Sequence, residues 1–312
     1  NIAIGHEALK AQNAGADAYN VAVGHQAGLL VSTGVENVLI GALAGDALTT
    51  GHYNVAIGTR ALSTEDGHGY CVAIGRDALK NQNAGANAYN VAMGYQAGLS
   101  VTTGIDNVFI GGGAGDAVTT GGRNVAIGRE AFSTEDDVGY VVAVGYQALR
   151  NQNAGGNTYN VAIGYNAGEA VTTGVQNTII GGNAGDALTT GGYNTAIGYQ
   201  ALSTEDTGSY NTAIGRGTLQ NQDAGNAYNT AVGYNAGTNV TTGTSNTLIG
   251  GVAGDSLTTG SNNVAIGYAA LATEDAHGRN VAVGYKALET QDAGADAYNI
   301  AIGYNAGQAM TT

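Results

Sequence analysis

Apolar residues recur along the chain in short groups, each closed by a glycine. The string Asn-Val-Ala-Ile-Gly, or a close variant of it, begins 18 units, and most units start seventeen positions after the previous one, as at Asn20, Asn37 and Asn54. Numbered from its Asn, a unit has Val, Ile or Thr at position 2, Ile, Val or Met at position 4, and Gly at position 5. A short β-branched run that ends at a glycine is typical of a strand followed by a turn. We expect a second short strand over positions 7–9.

Every fourth unit is longer, so that four units form one super-repeat. The super-repeats span 1–70, 71–140, 141–210, 211–279 and, in part, 280–312. No linker or change of composition separates them, which predicts one continuous array over 1–312. A single unit is too small to bury a core, and stacking supplies one. We therefore predict an all-β fold, a parallel β-solenoid or β-roll of about 18 stacked coils, here called rungs.

Position 4 never carries a polar residue, and we expect it to be the most deeply buried position of each rung. Position 8, which is Ala in all units but one, forms the second row of the predicted core. The predicted core residues at position 4 are Ile57, Ile74, Ile110, Ile127, Ile163, Ile180, Ile197, Ile214, Ile249 and Ile266. In the third unit of each super-repeat position 3 is large and position 6 is small, as in Phe109 and Gly112. This pairing predicts that the two positions share one volume.

Asn occupies position 1 in 16 of the 18 units, and Cys71 and Val141 replace it in the others. Such a row predicts a ladder at a turn, because stacked amides bond from rung to rung and Asn tolerates a left-handed backbone. The predicted ladder contains Asn20, Asn37, Asn54, Asn90, Asn107, Asn124, Asn160, Asn177 and Asn194. Cys71 is then an inert replacement in the ladder.

Composition and charge exclude several classes of protein. The chain has 53 Gly and no Pro, which is incompatible with collagen, and no apolar run is long enough to span a membrane. Its net charge of −14 leaves little to attract the phosphate backbone, so we expect no nucleic-acid partner. A single Cys excludes a disulfide scaffold and a four-thiolate zinc site.

The polar residues that repeat offer candidate chemistry, and each also has a structural interpretation. Acidic residues recur in Ala-Gly-Asp stretches and in Thr-Glu-Asp turns, which predict a solvated acidic surface rather than a calcium array. All 18 Tyr fall at position 6 or immediately before a unit, where they either shield the solenoid or stack on sugars. His6 and His25 share position 6 on neighbouring rungs, but no third ligand accompanies them. The Thr pairs favour neither ice binding nor any other assigned role. We predict no catalytic residue, no cofactor and no metal.

The units Asn263-Val-Ala-Ile-Gly-Tyr-Ala-Ala-Leu and Asn194-Thr-Ala-Ile-Gly-Tyr-Gln-Ala-Leu resemble the head repeats of trimeric autotransporter adhesins. They also resemble the repeats of phage tail fibres and related surface proteins. The resemblance implies a parallel β-roll and assembly with further copies, as a trimer or another parallel homo-oligomer, or as a filament. It also implies a place outside the cell, on a cell or virion surface.

From the repeats and this resemblance we expect a structural, non-enzymatic fibre, stalk or head segment with no membrane-spanning segment. The first alternative is an adhesin or tail-fibre module that binds a surface glycan. The second is a polysaccharide-degrading spike, for which no unit offers a unique break in the repeat.

Overall fold

A computed structural model describes residues 1–15, 17–134, 137, 139–292 and 294–311. The chain forms two compact units, Asn1–Tyr159 and Asn160–Thr312, which we describe separately. Each unit is a parallel β-solenoid in which every rung contributes one short strand. The predicted fold class is therefore confirmed. The single array over 1–312 stays a prediction.

Each unit contains nine described strands, and all of them occupy positions 2–4 of their rungs. The strands of the first unit are β1 Ile2–Ile4, β2 Val21–Val23, β3 Val38–Ile40, β4 Val55–Ile57, β5 Val72–Ile74, β6 Val91–Met93, β7 Val108–Ile110, β8 Val125–Ile127 and β9 Val142–Val144. Those of the second are β10 Val161–Ile163, β11 Thr178–Ile180, β12 Thr195–Ile197, β13 Thr212–Ile214, β14 Thr230–Val232, β15 Thr247–Ile249, β16 Val264–Ile266, β17 Val281–Val283 and β18 Ile300–Ile302. Within a unit, consecutive strands pair in parallel and in register, so that Val108 lies opposite Val125.

The second strand predicted over positions 7–9 is wrong for the described rungs, because these residues form tight turns. Glu130 at position 7 and Phe132 at position 9 both have a left-handed backbone, with φ of 55° and 51°. An extended strand cannot contain such residues. The backbone still bonds from rung to rung here, since Glu130 N–H donates to Gly112 O and Phe132 N–H donates to Ala148 O.

Position 5 is Gly in every unit, and the backbones of successive rungs approach each other closely there. At Gly58, φ is 132°, and an added Cβ would lie 2.5 Å from the carbonyl oxygen of Gly75 in the next rung. Neither the conformation nor the space suits any other residue. The glycine column thus fixes how closely successive rungs stack.

The structure reverses the predicted facing of the strand. Position 3 points inward: Ala126, for example, is fully buried between the half-buried Val125 and Ile127. All ten isoleucines predicted to form the core lie on the outer surface of the sheet, and Ile163 and Ile249 are 39% and 37% exposed. The other eight of these isoleucines are half-buried: Ile57, Ile74, Ile110, Ile127, Ile180, Ile197, Ile214 and Ile266.

The reversal has a steric reason. Side chains alternate along a strand, so positions 2 and 4 must face away from position 3. Positions 3 and 9 share a narrow interior, and where position 9 carries Leu, as at Leu62 and Leu202, position 3 is Ala. The predicted core row at position 8 is confirmed for the described inner rungs, where Ala131 and its equivalents are buried. Ala8 in the first rung and Ala306 in the last are half-buried.

Larger side chains enter the interior where a glycine makes room. Phe109 is fully buried, and a Cβ added to Gly115 would lie 2.5 Å from its ring. On the preceding rung, a Cβ added to Gly98 would lie 2.9 Å from the same ring. The predicted shared volume between Phe109 and Gly112 is wrong, since Gly112 lies outside and a Cβ there would meet nothing closer than 4.0 Å. Position 9, rather than position 6, compensates for the large residue at position 3.

Candidate functional site

The outer surface of the sheet is largely apolar in each unit, although position 2 is Thr in the five rungs of β11 to β15. We call it the sheet face: positions 2 and 4 of the rungs, flanked by position 6 and by the residue that precedes each Asn. One rung shows the arrangement in Tyr89, Val91, Met93 and Tyr95, whose tyrosines are 53% and 54% exposed. A row of aliphatic side chains therefore runs between two borders rich in Tyr.

Tyrosines of successive rungs stack on each other along both borders. The ring centroids of Tyr193 and Tyr210 lie 5.1 Å apart, and those of Tyr210 and Tyr228 lie 5.0 Å apart. Along the other border, Tyr285 lies 5.5 Å from Tyr268 and 5.2 Å from Tyr304. Within a stack, the ring faces contact neighbouring rings, so chiefly the ring edges remain for another ligand. This geometry favours the shielding interpretation of the Tyr rows over sugar stacking.

The sheet face differs from the rest of the chain in charge. It carries five of the 10 basic residues, Arg76, Arg123, Arg129, Arg216 and Arg279, and only two of the 24 acidic ones, Glu36 and Asp106. Several of these arginines lie over tyrosine rings of the same border, at 5.4 to 5.9 Å from the ring centroid. Such cation–π contacts are stabilising even where they are exposed. The other 22 of the 24 acidic residues lie away from the sheet face.

The predicted Asn ladder is present and buried. In Asn37, the backbone N–H donates to Oδ1 of Asn20 at 2.8 Å, and Nδ2 donates to the Gly51 carbonyl at 2.9 Å. One side chain thus closes its own rung and accepts from the next. In all nine predicted members, Oδ1 accepts the backbone N–H of the residue that begins the following rung: Asn20, Asn37, Asn54, Asn90, Asn107, Asn124, Asn160, Asn177 and Asn194. The left-handed residue is not the Asn but its predecessor, as at Tyr53 with φ of 59°.

Cys71 replaces a ladder residue in a polar setting without becoming reactive. Its backbone N–H donates to Asn54 Oδ1, and Gln82 Nε2 lies 3.3 Å from its sulfur. Burial raises the pKa of the Cys71 thiol to about 12, so the thiolate that a nucleophile requires is not formed near neutral pH.

The Thr-Glu-Asp turns contain a site that the sequence reasoning missed. The predicted solvated surface holds for the exposed Asp66, Asp206 and Asp275. The glutamate before each of them is instead fully buried: Glu65, Glu205 and Glu274 are 0% exposed. The equivalent Glu135-Asp136 turn lies outside the described residues. The available signal was the recurrence of Gln at the equivalent position 12 of the next rung, as in Gln222, which is also 0% exposed.

Buried Glu205 is held by donors from two rungs. Its Oε1 accepts the Gly208 N–H at 2.7 Å, and its Oε2 accepts from Gln222 Nε2 at 3.0 Å and the Ala224 N–H at 3.4 Å. Gln222 Oε1 in turn accepts from the ladder residue Asn229 at 2.8 Å. Burial raises the pKa of Glu205 above its ordinary value, and the hydrogen bonds only partly oppose this.

Three groups of potential metal ligands come together at these turns in the described part of the chain. They are Glu65, Asp66 and His68; Glu205, Asp206 and Asp223; and Glu274, Asp275, His277 and Asp292. Within each group, one ligand atom per residue lies within 4.8 Å of the others. Nδ1 of His68 lies within hydrogen-bond distance of Glu65 Oε1, at 3.3 Å, and Nδ1 of His277 lies 3.2 Å from Glu274 Oε1. His6 and His25 stack with centroids 5.2 Å apart, outside these groups.

The described pockets are small and open to solvent. One polar pocket is lined in part by Ser261, Arg279 and Asp296 and has a volume of about 220 Å³. Another, of about 250 Å³, lies between Tyr95, Arg129 and Glu130 beside the sheet face. The part of the chain that the structure describes contains no helix able to cross a membrane.

Comparison of the chain with protein-family models, with curated proteins and with solved structures finds no match in any of them.

Proposed function

We propose that this chain is a structural segment of a surface fibre, in which copies of the chain pack against each other through the sheet face. The observation that carries the proposal is the facing of the strands. The aliphatic residues at position 4 point outward, as do those at position 2 in all rungs but the five that carry Thr, and they remain part-exposed in the single chain. Continuous exposed apolar surfaces of this kind mark interaction sites.

A second copy is the occupant that best fits this face. The face repeats once per rung, about 4.8 Å along the stacking direction. Another copy offers a surface with the same repeat, so each apolar ridge of one chain meets a matching groove of the other. Charge supports the same arrangement, because packing through the sheet face leaves most acidic residues of both copies on the outside, where they repel further lateral association.

The interior supports a mechanical rather than a catalytic role. Each described rung is bonded to its neighbours through the strand, the turns at positions 5–9 and the Asn ladder. These bonds recur in both units with little variation. We assign the chain no catalysis. The adhesin alternative remains open through the Tyr borders, although the stacked rings offer a sugar mainly their edges.

Two adjacent residues of β8 test the proposal. Ile127→Asp places a charge on the sheet face, where we expect the chain to stay folded and to lose self-association. Ala126→Asp buries an unpaired charge, and we expect it to unfold the surrounding rungs, because such a charge costs several kcal/mol. Thr120→Asp, at an exposed position away from the sheet face, is the control that should change neither property.

Sedimentation equilibrium gives the molar mass of each variant, and circular dichroism gives its melting temperature. A wild-type chain that stays monomeric at high micromolar concentration would contradict side-by-side packing. If Ile127→Asp self-associates as strongly as wild type, the interface lies on a surface other than the sheet face. Binding of the monomeric variant to a glycan array would favour the adhesin alternative.

A further inference from the structure

We infer that Glu274, Asp275, His277 and Asp292 form a binding site for a divalent transition-metal ion such as Zn²⁺ or Mn²⁺. One ligand atom from each residue lies within 4.8 Å of the others. The residues belong to two successive rungs, so a bound ion would connect them. This inference does not depend on the proposed fibre role.

The buried glutamate provides an independent reason to expect a ligand here. Glu274 is 0% exposed, and its Oε1 accepts the His277 N–H at 3.0 Å. Its Oε2 is also buried and has no hydrogen-bond partner among the described residues. A buried carboxylate oxygen without a donor is energetically costly, and a cation would remove that cost.

The equivalent site at Glu205 shows why Glu274 differs. There, Gln222 donates its amide to Glu205 Oε2. In the later rung, Gln291 donates its amide to Asn280 Oδ1 instead, at 3.1 Å. The donor that satisfies Glu205 is therefore directed away from Glu274. The two glutamates occupy equivalent positions of the repeat. Oε2 of Glu205 accepts hydrogen bonds, whereas Oε2 of Glu274 accepts none among the described residues.

The ligand types select the kind of ion. Three carboxylates and one imidazole suit Zn²⁺ or Mn²⁺ better than Ca²⁺ or Mg²⁺, which prefer oxygen ligands alone. Ligands at about 2.1 Å from an ion lie roughly 3 to 4 Å from each other. Asp275 and Asp292 can close the remaining distance, since both side chains are exposed. The ion would replace the hydrogen bond between His277 Nδ1 and Glu274 Oε1.

The chain itself supplies the test substitutions. His277→Gly reproduces Gly208, and Asp292→Asn reproduces Asn83, each the natural residue at the equivalent position of another super-repeat. The backbone role is the same in both rungs, because the carbonyls of His277 and Gly208 each accept from the Nδ2 of a ladder Asn. We therefore expect both variants to fold. Asp223→Asn, in the Glu205 site, is the matched control.

Isothermal titration with Zn²⁺, Mn²⁺ and Ca²⁺, on the full chain, measures affinity and stoichiometry. We expect wild type to bind Zn²⁺ or Mn²⁺ more tightly than Ca²⁺. Each site variant should weaken this binding by about tenfold or more, since even outer-shell changes cost 10- to 100-fold. The double variant should bind one ion fewer, and Asp223→Asn should match wild type. No binding by wild type, or an unchanged stoichiometry in the double variant, would overturn the inference. So would tighter binding of Ca²⁺ that His277→Gly leaves unaffected.

Discussion

The interior of the solenoid alternates between two kinds of region within each super-repeat. In the second and third rungs, position 9 is Gly and position 12 is Val, Leu or, once, Met, as in Gly115 and Val118. In the fourth rung and the long first rung that follows it, position 9 is mostly Leu, and position 12 is Glu or Gln, as in Leu202 and Glu205. The first region is filled by apolar side chains from position 3, and the second by a hydrogen-bonded polar network.

The difference between the apolar and the polar region shows where the solenoid can change the length of its rungs. The polar region underlies the long rung, whose extra residues leave the regular coil. Glu205 accepts backbone N–H groups of its own turn and of that longer loop, at Gly208 and Ala224. Buried backbone donors need such partners, which an apolar residue cannot provide. The apolar region has no irregular loop and no such need.

The largest loss of stability is expected when the buried aromatic side chain of the apolar region is removed. Phe109→Ala should lower the free energy of unfolding by about 3–5 kcal/mol, because it leaves a cavity in a closely packed interior. Its neighbour Ile110→Ala, on the sheet face, should cost less than half as much in the dissociated chain. Chemical denaturation of the monomer measures both. Equal losses would show that the two sides of the strand are equally buried.

The next test fills the space that glycine leaves. Gly115→Ala should cost about 1–3 kcal/mol by overpacking, since the new Cβ would lie 2.5 Å from the Phe109 ring. Gly185→Ala is the matched control, because its Cβ would meet Ile179 at 3.4 Å, an ordinary contact, with a similar left-handed backbone. Denaturation curves of the two variants separate packing from backbone strain. If both variants lost the same free energy of unfolding, the cost would come from the left-handed backbone and not from packing against Phe109.

The polar region is tested by removing its central acceptor. Glu205→Ala leaves three donors without a partner, and we expect a loss of about 1–3 kcal/mol. Glu205→Gln keeps one acceptor oxygen and should cost less. Asp206→Ala, which changes the exposed neighbour, should stay within about 0.5 kcal/mol of wild type. If Glu205→Ala matched the Asp206 control, the network would contribute nothing to stability.

The smallest expected effect is a dependence of stability on pH. Burial raises the pKa of Glu205 above its ordinary value of 4.5, so the folded chain holds this proton at pH values where the unfolded chain has lost it. Its contribution to stability is complete below 4.5 and is lost as the pH rises through the raised pKa. The difference in melting temperature between wild type and Glu205→Gln should therefore change in this window. A difference that stays constant from pH 7 to pH 4 would contradict the raised pKa.

Sequence reasoning predicted the repeat, the parallel stacking and the Asn ladder, because each follows from residues that recur at fixed spacing. It inverted the strand, because Ile127 looks like a core residue and Ala126 does not. The width of the interior decides between them, and a single rung does not reveal that width. It also placed Glu205 and Glu274 in solvent. Two of the three donors to Glu205, those of Gln222 and Ala224, belong to the following rung. Pairings between rungs are invisible until the stacking is known.

The glycine column at position 5 has a consequence for how such a chain can change in length during evolution. Because Gly58 and its equivalents meet backbone to backbone, adding or deleting a residue within the regular part of a rung would misalign every later contact. One long rung is a single residue shorter than the others, and it has lost that residue in the exposed loop around Gly225, where an added Cβ meets nothing within 4 Å. Deleting a single rung can remove a side chain on which the preceding rung depends, as Glu205 depends on Gln222. Duplication of a whole super-repeat preserves every match, which makes the four-rung block the natural step by which such a gene lengthens.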